Sequence, residues 1–325
     1  MKICIVKLSA MGDIIHAMVA LQFIKKYYPS CSIDWVVESG FSEILRDNPH
    51  IDRILEVDLK RLKKQKSLIF KEIAKIRSFG KNSYDLIIDA QGLLKSAIVA
   101  RLIGAKSVAG FSKTSAREGI ASLFYDKKIT IAYEQNTIDR NVAVICGAVG
   151  LSVQRDEILQ MESFLFYKPT LKDLPEKYNL FVIGSTWESR NYPKESFLEV
   201  ANLLKTTTIV VWASEEERQK ALWLSSNSEY IKVLPRLDLN ALKELIARCD
   251  LLIGNDTGPT HMAWALGVAS ITLFGPTPIN RIYQTPINMA IKSSSKVDHR
   301  RLDKNDFSIA EITPQEVADL AREIV

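Results

Sequence analysis

Short apolar runs separated by helix-length amphipathic segments recur along the 325-residue chain in two successive series. In the first, Lys2–Lys7, Ser32–Val37 and Tyr84–Asp89 read as strands and Ser107–Ala109 as a short one. Helices are expected from the Ser9–Asp13 turn to about Tyr28 and from the end of the third strand through Leu102. In the second series, Leu180–Ile183, Thr208–Trp212, Lys232–Leu234, Leu251–Ile253 and Ser270–Phe274 read as strands. Helices fall near Ser196–Leu204, Glu215–Ser225, Asn240–Arg248 and Thr260–Leu266. Strands alternating with helices assemble into parallel sheets through right-handed crossovers, so the pattern predicts an α/β protein of two Rossmann-like domains. Regular periodicity fades between Arg155 and Lys177, where Pro169 and Pro175 occur. The expected domains are therefore residues 1–163 and 178–325, with a linker at 164–177 and a closing helix entered through Thr313-Pro314-Gln315-Glu316, a capping-box pattern. In such folds ligands bind beyond the C-terminal ends of the strands, which makes the cleft between the domains the expected site.

Hydrophobic residues make up 47% and charged residues 25%, which fits a packed soluble protein. The longest apolar stretches are strand-sized, far short of the roughly 20 residues of a spanning helix. The opening Met1-Lys2-Ile3-Cys4-Ile5-Val6 runs into a strand without a charged leader or cleavage site, so a cytoplasmic location is expected. Cys4, Cys31, Cys146 and Cys249 are scattered in or beside apolar segments and read as buried free thiols.

The net charge of +5 is unevenly spread. Between Lys60 and Lys81 lie Lys60, Arg61, Lys63, Lys64, Lys66, Lys71, Lys75, Arg77 and Lys81 against the single acid Glu72. Leu62, Leu68, Ile69, Ile73 and Ile76 are interleaved at helix-like spacing, which predicts an amphipathic helix with a basic outer face. Such a face is either simply solvated or a surface for phosphates or anionic lipid.

Two turns stand where chemistry is expected. After Leu251-Leu252-Ile253 comes Gly254-Asn255-Asp256-Thr257-Gly258-Pro259-Thr260-His261, a strand end feeding a helix whose first turn holds Pro259, with Asp256 or Thr257 as N-cap. The N–H groups and positive dipole end there suit a phosphate, although an ordinary strand-to-helix turn has the same outline. After the first strand, Lys7-Leu8-Ser9-Ala10-Met11-Gly12-Asp13-Ile14-Ile15-His16 contains glycine but not G-x-G-x-x-G. Asp13 is there either a general base or a helix N-terminal acid favoured by the dipole. No metal-ligand cluster is visible, and the four histidines are far apart in sequence.

Several motifs, taken in order, resemble the lipopolysaccharide heptosyltransferases of glycosyltransferase family 9, closest to the type that adds the first heptose. They are Lys-x-Ser-x-Met-Gly-Asp-x-x-His from Lys7, Ile33-Asp34-Trp35-Val36-Val37-Glu38, Asp89-Ala90-Gln91-Gly92-Leu93-Leu94-Lys95-Ser96-Ala97, Ala116-Arg117-Glu118 with Ala121-Ser122-Leu123-Phe124-Tyr125, Asp256-Thr257-Gly258 with His261, and Phe274-Gly275-Pro276-Thr277. The resemblance runs from Met1 to about Arg281.

It implies a GT-B fold and an inverting enzyme with ADP-heptose as donor and Kdo on lipid A as acceptor, peripheral to the cytoplasmic face of the inner membrane and needing neither cofactor nor metal. Asp13 matches the family's general base. On the donor side Ser185 and Thr186 match small hydroxyl residues near the diphosphate, Arg190 replaces a phosphate-contacting lysine, Glu215 matches within about a position a ribose-holding glutamate, and Leu237 replaces a methionine that packs on adenine. Asp256, Thr257, Gly258 and His261 complete that pocket; without the resemblance His261 reads as a core-facing helix residue. On the acceptor side Lys60, Arg61 and Lys64 match a basic loop and Arg117 and Arg140 match arginines, which could equally be structural ion-pair partners. Two other readings are a heptosyltransferase II or III acting on an already heptosylated core, and a non-catalytic nucleotide-sugar-binding protein. Nothing points to nucleic acid.

Overall fold

Both halves of the chain carry the same strand order. In the computed structural model, which describes residues 1–62, 64–299 and 301–325, the chain divides into two compact units, Met1–Phe166 and Tyr167–Val325. Lys63 of the basic run lies outside the described residues. In unit 1 the strands β1 (Lys2–Val6), β2 (Ser32–Glu38), β3 (Arg53–Val57), β4 (Tyr84–Asp89), β5 (Ala105–Phe111) and β6 (Lys127–Ile129) form an all-parallel sheet of order β3-β2-β1-β4-β5-β6. In unit 2, β7 (Asn179–Val182), β8 (Thr208–Val211), β9 (Ile231–Val233), β10 (Leu251–Asn255), β11 (Ser270–Phe274) and β12 (Asn288–Lys292) form the sheet β12-β11-β10-β7-β8-β9, also parallel. Counted from its own first strand each sheet is ordered 3-2-1-4-5-6, with the topological switch between β1 and β4 in one and between β7 and β10 in the other. Ile3, Cys4, Ile5 and Val6 of β1 are fully buried, as are Leu251, Leu252 and Ile253 of β10, because helices cover both faces of such a sheet.

The helices of unit 1 are α1 (Met11–Met18), α2 (Ala20–Tyr27), α3 (Leu59–Leu62), α4 (Ile69–Phe79), α5 (Leu94–Ile103), α6 (Thr137–Ala148) and α7 (Arg155–Leu159). Those of unit 2 are α8 (Lys194–Leu204), α9 (Glu215–Ser226), α10 (Leu239–Ala247), α11 (Gly258–Leu266) and α12 (Pro314–Ile324). Thr313 caps α12 by accepting from the Glu316 amide at 3.2 Å. All four cysteines are free and buried, and burial pushes the Cys146 and Cys249 thiols up to about 12, where they are protonated and inert.

Three expectations change. The two edge strands β3 and β6, and β12, lack the apolar continuity of central strands and escape a reading based on it. The basic stretch does not form one helix: α3 ends at Leu62, Gln65 takes a non-helical conformation, and α4 begins at Ile69. Cations at i,i+3 and i,i+4 spacing, such as Arg61, Lys64 and Lys60, repel along a helix face and disfavour continuity there. Glu72, the single acid of the run, is buried and accepts the Asp58 amide at 2.9 Å. Finally, part of the segment expected as a linker is stitched to α10: the buried Glu244 accepts from the Thr170 amide at 2.6 Å and the Leu171 amide at 2.9 Å.

Candidate functional site

The turns at each switch point collect most of the residues singled out by sequence. In unit 2 the strand end of β10 delivers Asp256, fully buried, between three cationic or protonatable side chains. Arg190 Nη2 donates to its Oδ2 at 3.0 Å, Arg281 Nη1 lies 3.6 Å from the same oxygen, and His261 Nε2 is 3.0 Å from Oδ1. Burial alone would push this carboxyl up, but Arg281, the His261 hydrogen bond and Arg190 together outweigh it and hold the group far below the usual carboxylate range. An ionised carboxylate only accepts, so His261 must donate from Nε2, which fixes where its proton sits. Two arginines against one buried carboxylate leave the pocket with a positive excess.

Asp256 is thereby committed as the anchor of this cluster, and the α11 N-cap falls to Thr257, whose backbone is extended. Gly258 and Pro259 open the helix; proline costs nothing there because an N–H at that position would lack a helical partner. The α11 start therefore presents backbone N–H groups and its positive dipole end beside Arg190 and Arg281. Asn255 ties the neighbouring strand end into place, donating to the Ile183 carbonyl at 2.9 Å and accepting the Tyr192 amide at 2.9 Å.

Beyond β7, Ser185 is half-buried and accepts the Trp187 amide at 3.4 Å, while Thr186 is exposed. Trp187 stacks under two cations, Arg190 at 5.5 Å and Lys304 at 5.0 Å from the ring centroid. Glu215 does not reach this turn. It is exposed on the first turn of α9 and accepts from Arg218 at 2.9 Å and Gln219 at 2.7 Å, partners on its own helix. Glu217 reaches the turn instead: its Oε2 accepts the Ala213 amide at 2.7 Å, and its carboxyl lies so close to Gly184 that a Cβ there would fall 2.1 Å from Oε1. The sequence did carry the signal, since Ser214-x-x-Glu217 is a capping box and Ser214 Oγ accepts the Glu217 amide at 3.2 Å. Leu237 is partly buried in the loop between β9 and α10. Arg281 and Lys304 are further residues of this site that spacing did not reveal.

In unit 1 the motif from Asp89 to Ala97 proves to be a scaffold for the turn that carries Asp13. Gln91 Oε1 accepts the amides of Leu8 at 3.0 Å and Ser9 at 3.1 Å, and Lys7 Nζ, buried, donates to the Ala90 carbonyl at 2.8 Å. Burial lowers the Lys7 pKa, while Asp13 and Asp89 favour its charge and Arg140 opposes it. Asp13 itself is half-buried, and its Oδ2 accepts the Ala10 amide at 3.3 Å. Fully buried Asp89 accepts from Tyr125 at 2.7 Å, Ser96 at 2.8 Å, Gln91 at 2.8 Å and Gly92 at 3.3 Å. Burial pushes its carboxyl up and those four donors pull it down, leaving a net rise. Gly92 closes the turn at φ +68°, a left-handed conformation glycine adopts without strain. The Ala116-Arg117-Glu118 motif docks on the same turn, Glu118 accepting the Leu94 amide at 2.8 Å.

The acceptor-side cations divide into two kinds. Arg117 is exposed and has no side-chain partner among the described residues. Arg140 is a brace: it donates to the carbonyls of Ala132 at 2.9 Å and Ser115 at 2.7 Å and stacks on Tyr133 and Phe111. Lys60, Arg61 and Lys64 are exposed beyond β3, Lys60 over the Phe41 ring at 4.4 Å and Arg61 donating to Gln65 at 3.0 Å. Among the described residues no group of three or more His, Cys, Asp or Glu side chains could hold a metal ion.

Residues 73–306 match the sequence profile of glycosyltransferase family 9 (heptosyltransferase). The chain is 33% identical to lipopolysaccharide heptosyltransferase 1 of Campylobacter coli, covering 100% of this chain and 99% of that protein. It also superposes over 100% of both chains on two structures of the E. coli heptosyltransferase WaaC. With ADP bound that structure gives 28% identity and a TM-score of 0.84, and with ADP-2-deoxy-2-fluoro heptose 27% and 0.82. With two parallel six-stranded sheets of the GT-B type and similarity along its whole length, the chain belongs to glycosyltransferase family 9, the heptosyltransferases.

Proposed function

We propose that this heptosyltransferase moves heptose from ADP-L-glycero-D-manno-heptose to Kdo on lipid A, with inversion, at the cytoplasmic face of the inner membrane. The names of its relatives support the choice of reaction, and the fluorinated ADP-heptose held by WaaC supports the donor. The observation that carries the donor half is the Asp256 cluster. Arg190 and Arg281 converge on one buried carboxylate at the start of α11, a positive surplus that suits a departing diphosphate.

In this reading unit 2 holds ADP, with Glu217 and Leu237 toward the nucleoside and Ser185, Thr186, Arg190 and α11 toward the phosphates. Asp13 of unit 1 takes the proton from the Kdo hydroxyl as that oxygen bonds to the anomeric carbon. The bond from that carbon to the diphosphate oxygen breaks on the opposite face, and ADP leaves with the electron pair, its charge met by the arginines and helix end. Lys60, Arg61, Lys64 and Arg117 hold the phosphates and carboxylates of the acceptor. No helix among the described residues is long and apolar enough to cross a membrane, so association with the bilayer would be peripheral.

Incubation with ADP-heptose and deacylated Kdo-lipid A, followed by mass spectrometry, tests the reading. The expected product is heavier by one heptose residue and forms equally in EDTA. Product only from an already heptosylated acceptor would reassign the enzyme to the second or third heptose, and ADP-heptose binding without any transfer would leave a non-catalytic binding protein.

A further inference from the structure

Most of the largest apolar side chains exposed on unit 1 share one face. Phe70 is 81% exposed and Leu123 75% exposed, and Ile69, Ile98 and Ile120 are also exposed. They belong to α4, α5 and the 3-10 turn Gly119–Phe124, and α5 packs against both of the others, so the three elements form one continuous layer. Along α4 the outward positions are Phe70, Ala74 and Arg77, and along α5 they are Lys95, Ile98 and Arg101. The start of α4 follows β3 and the cations Lys60, Arg61 and Lys64 in the chain, and the 119–124 turn follows β5 and Arg117.

Charge distinguishes this face from an ordinary protein contact. Lys66, Lys71 and Lys95 are exposed and close no salt bridge among the described residues, Lys95 acting only at longer range on Glu38. The acids nearby are engaged: Asp126 by Arg101 at 2.7 Å, Glu72 by the Asp58 amide, and Glu118 by the Leu94 amide. A protein interface has an apolar centre depleted of charge, whereas apolar tips standing singly among unpaired cations suit the boundary of a bilayer whose headgroups are anionic.

We infer that the α4–α5–119–124 face of unit 1 seats on an anionic lipid bilayer, with Phe70 and Leu123 entering the acyl boundary and Lys66, Lys71 and Lys95 meeting the headgroup phosphates. The inference rests on the lipid-linked acceptor proposed above for its orientation, but its test does not.

The full chain is sedimented with vesicles of phosphatidylethanolamine and phosphatidylglycerol, and with vesicles of phosphatidylcholine alone. Binding is expected to the anionic vesicles and to weaken with salt. Phe70→Ser with Leu123→Ser should lower partition by about tenfold, and Lys71→Glu with Lys95→Glu should abolish the preference for phosphatidylglycerol. Phe307→Ser, which changes an exposed aromatic of unit 2, should leave partition unchanged. Turnover of deacylated acceptor by the Phe70/Leu123 variant should equal wild type, with a loss only when acylated acceptor is presented in vesicles. Indifference of the wild type to phosphatidylglycerol, or wild-type partition by the double variant, overturns the inference. So does a double variant that loses only self-association, which would give the face to a second copy. A chain that bound vesicles in this variant-sensitive way yet transferred no heptose would refute the proposed function and leave the membrane face standing.

Discussion

Arg190 and Asp256 lie 66 positions apart in sequence, yet the guanidinium Nη2 donates to the carboxylate Oδ2 at 3.0 Å, with the acid fully buried and the arginine nearly so. The strand order brings this about, because β7 and β10 are neighbours at the switch point and each ends in one of the two turns. The pair holds the Arg190 guanidinium in place, so in the proposed donor site its position does not have to be organised when ADP-heptose binds.

Arg190→Ala is expected to weaken ADP binding by about 1.5 to 3 kcal/mol, the value of a charge-assisted hydrogen bond. Calorimetry with ADP measures it directly. An unchanged affinity would mean that the guanidinium serves Asp256 alone. Arg190→Lys should recover only part of the loss, since a lysine cannot keep the Asp256 contact and a bidentate phosphate contact together.

Asp256 links this cluster to acid stability. Its folded pKa lies below the unfolded value of about 3.9, so its contribution is present in full above that value and is lost as pH falls toward the folded pKa. Asp256→Asn leaves Arg190 and Arg281 facing each other without a counter-charge and should cost about 3 kcal/mol or more near neutrality. Denaturant unfolding of both proteins should show that gap narrowing as the pH drops below about 4. A gap independent of pH would place the loss in packing instead of charge.

Asp13→Asn should leave ADP affinity nearly unchanged and lower turnover by about a hundredfold or more, the scale of a lost general base. Its separation from the Asp256 cluster in sequence and in unit makes the two effects independent. Turnover within a fewfold of wild type would return Asp13 to a helix-terminal role beside the Ala10 amide.

Glu217→Gln and Glu215→Gln separate two acids on one helix. The first removes a carboxylate held against Gly184 and should raise the Michaelis constant for ADP-heptose by about tenfold, as loss of a charged hydrogen-bond partner does. The second disturbs only exposed contacts with Arg218 and Gln219 and should be nearly silent. Equal effects of the two would show that the ribose contact does not discriminate between them.

Neutralising Lys60, Arg61 and Lys64 together is expected to raise the Michaelis constant for the acceptor with little change in ADP affinity. The effect should fade at about 1 M salt, where the Debye length is near 3 Å. Loss of ADP binding, or wild-type acceptor kinetics at low salt, would leave this loop as a solvated surface.

What the sequence determined by itself was the fold class, because apolar strand runs alternating with helices admit few arrangements other than parallel sheets. It also determined the position of the α11 turn, since strand, small polar residues, Pro259 and helix are signals local to a few residues. The edge strands β3, β6 and β12 were not legible, being half-exposed and without a continuous apolar run. The side-chain pairings were less legible still. That Asp256 anchors Arg190, Arg281 and His261 and leaves the cap to Thr257, that Glu217 and not Glu215 meets Gly184, and that Gln91 holds the Asp13 turn are contacts between distant segments. Helix periodicity states which face a residue occupies but not which neighbour it meets; strand order and register, products of the whole sheet, made those choices.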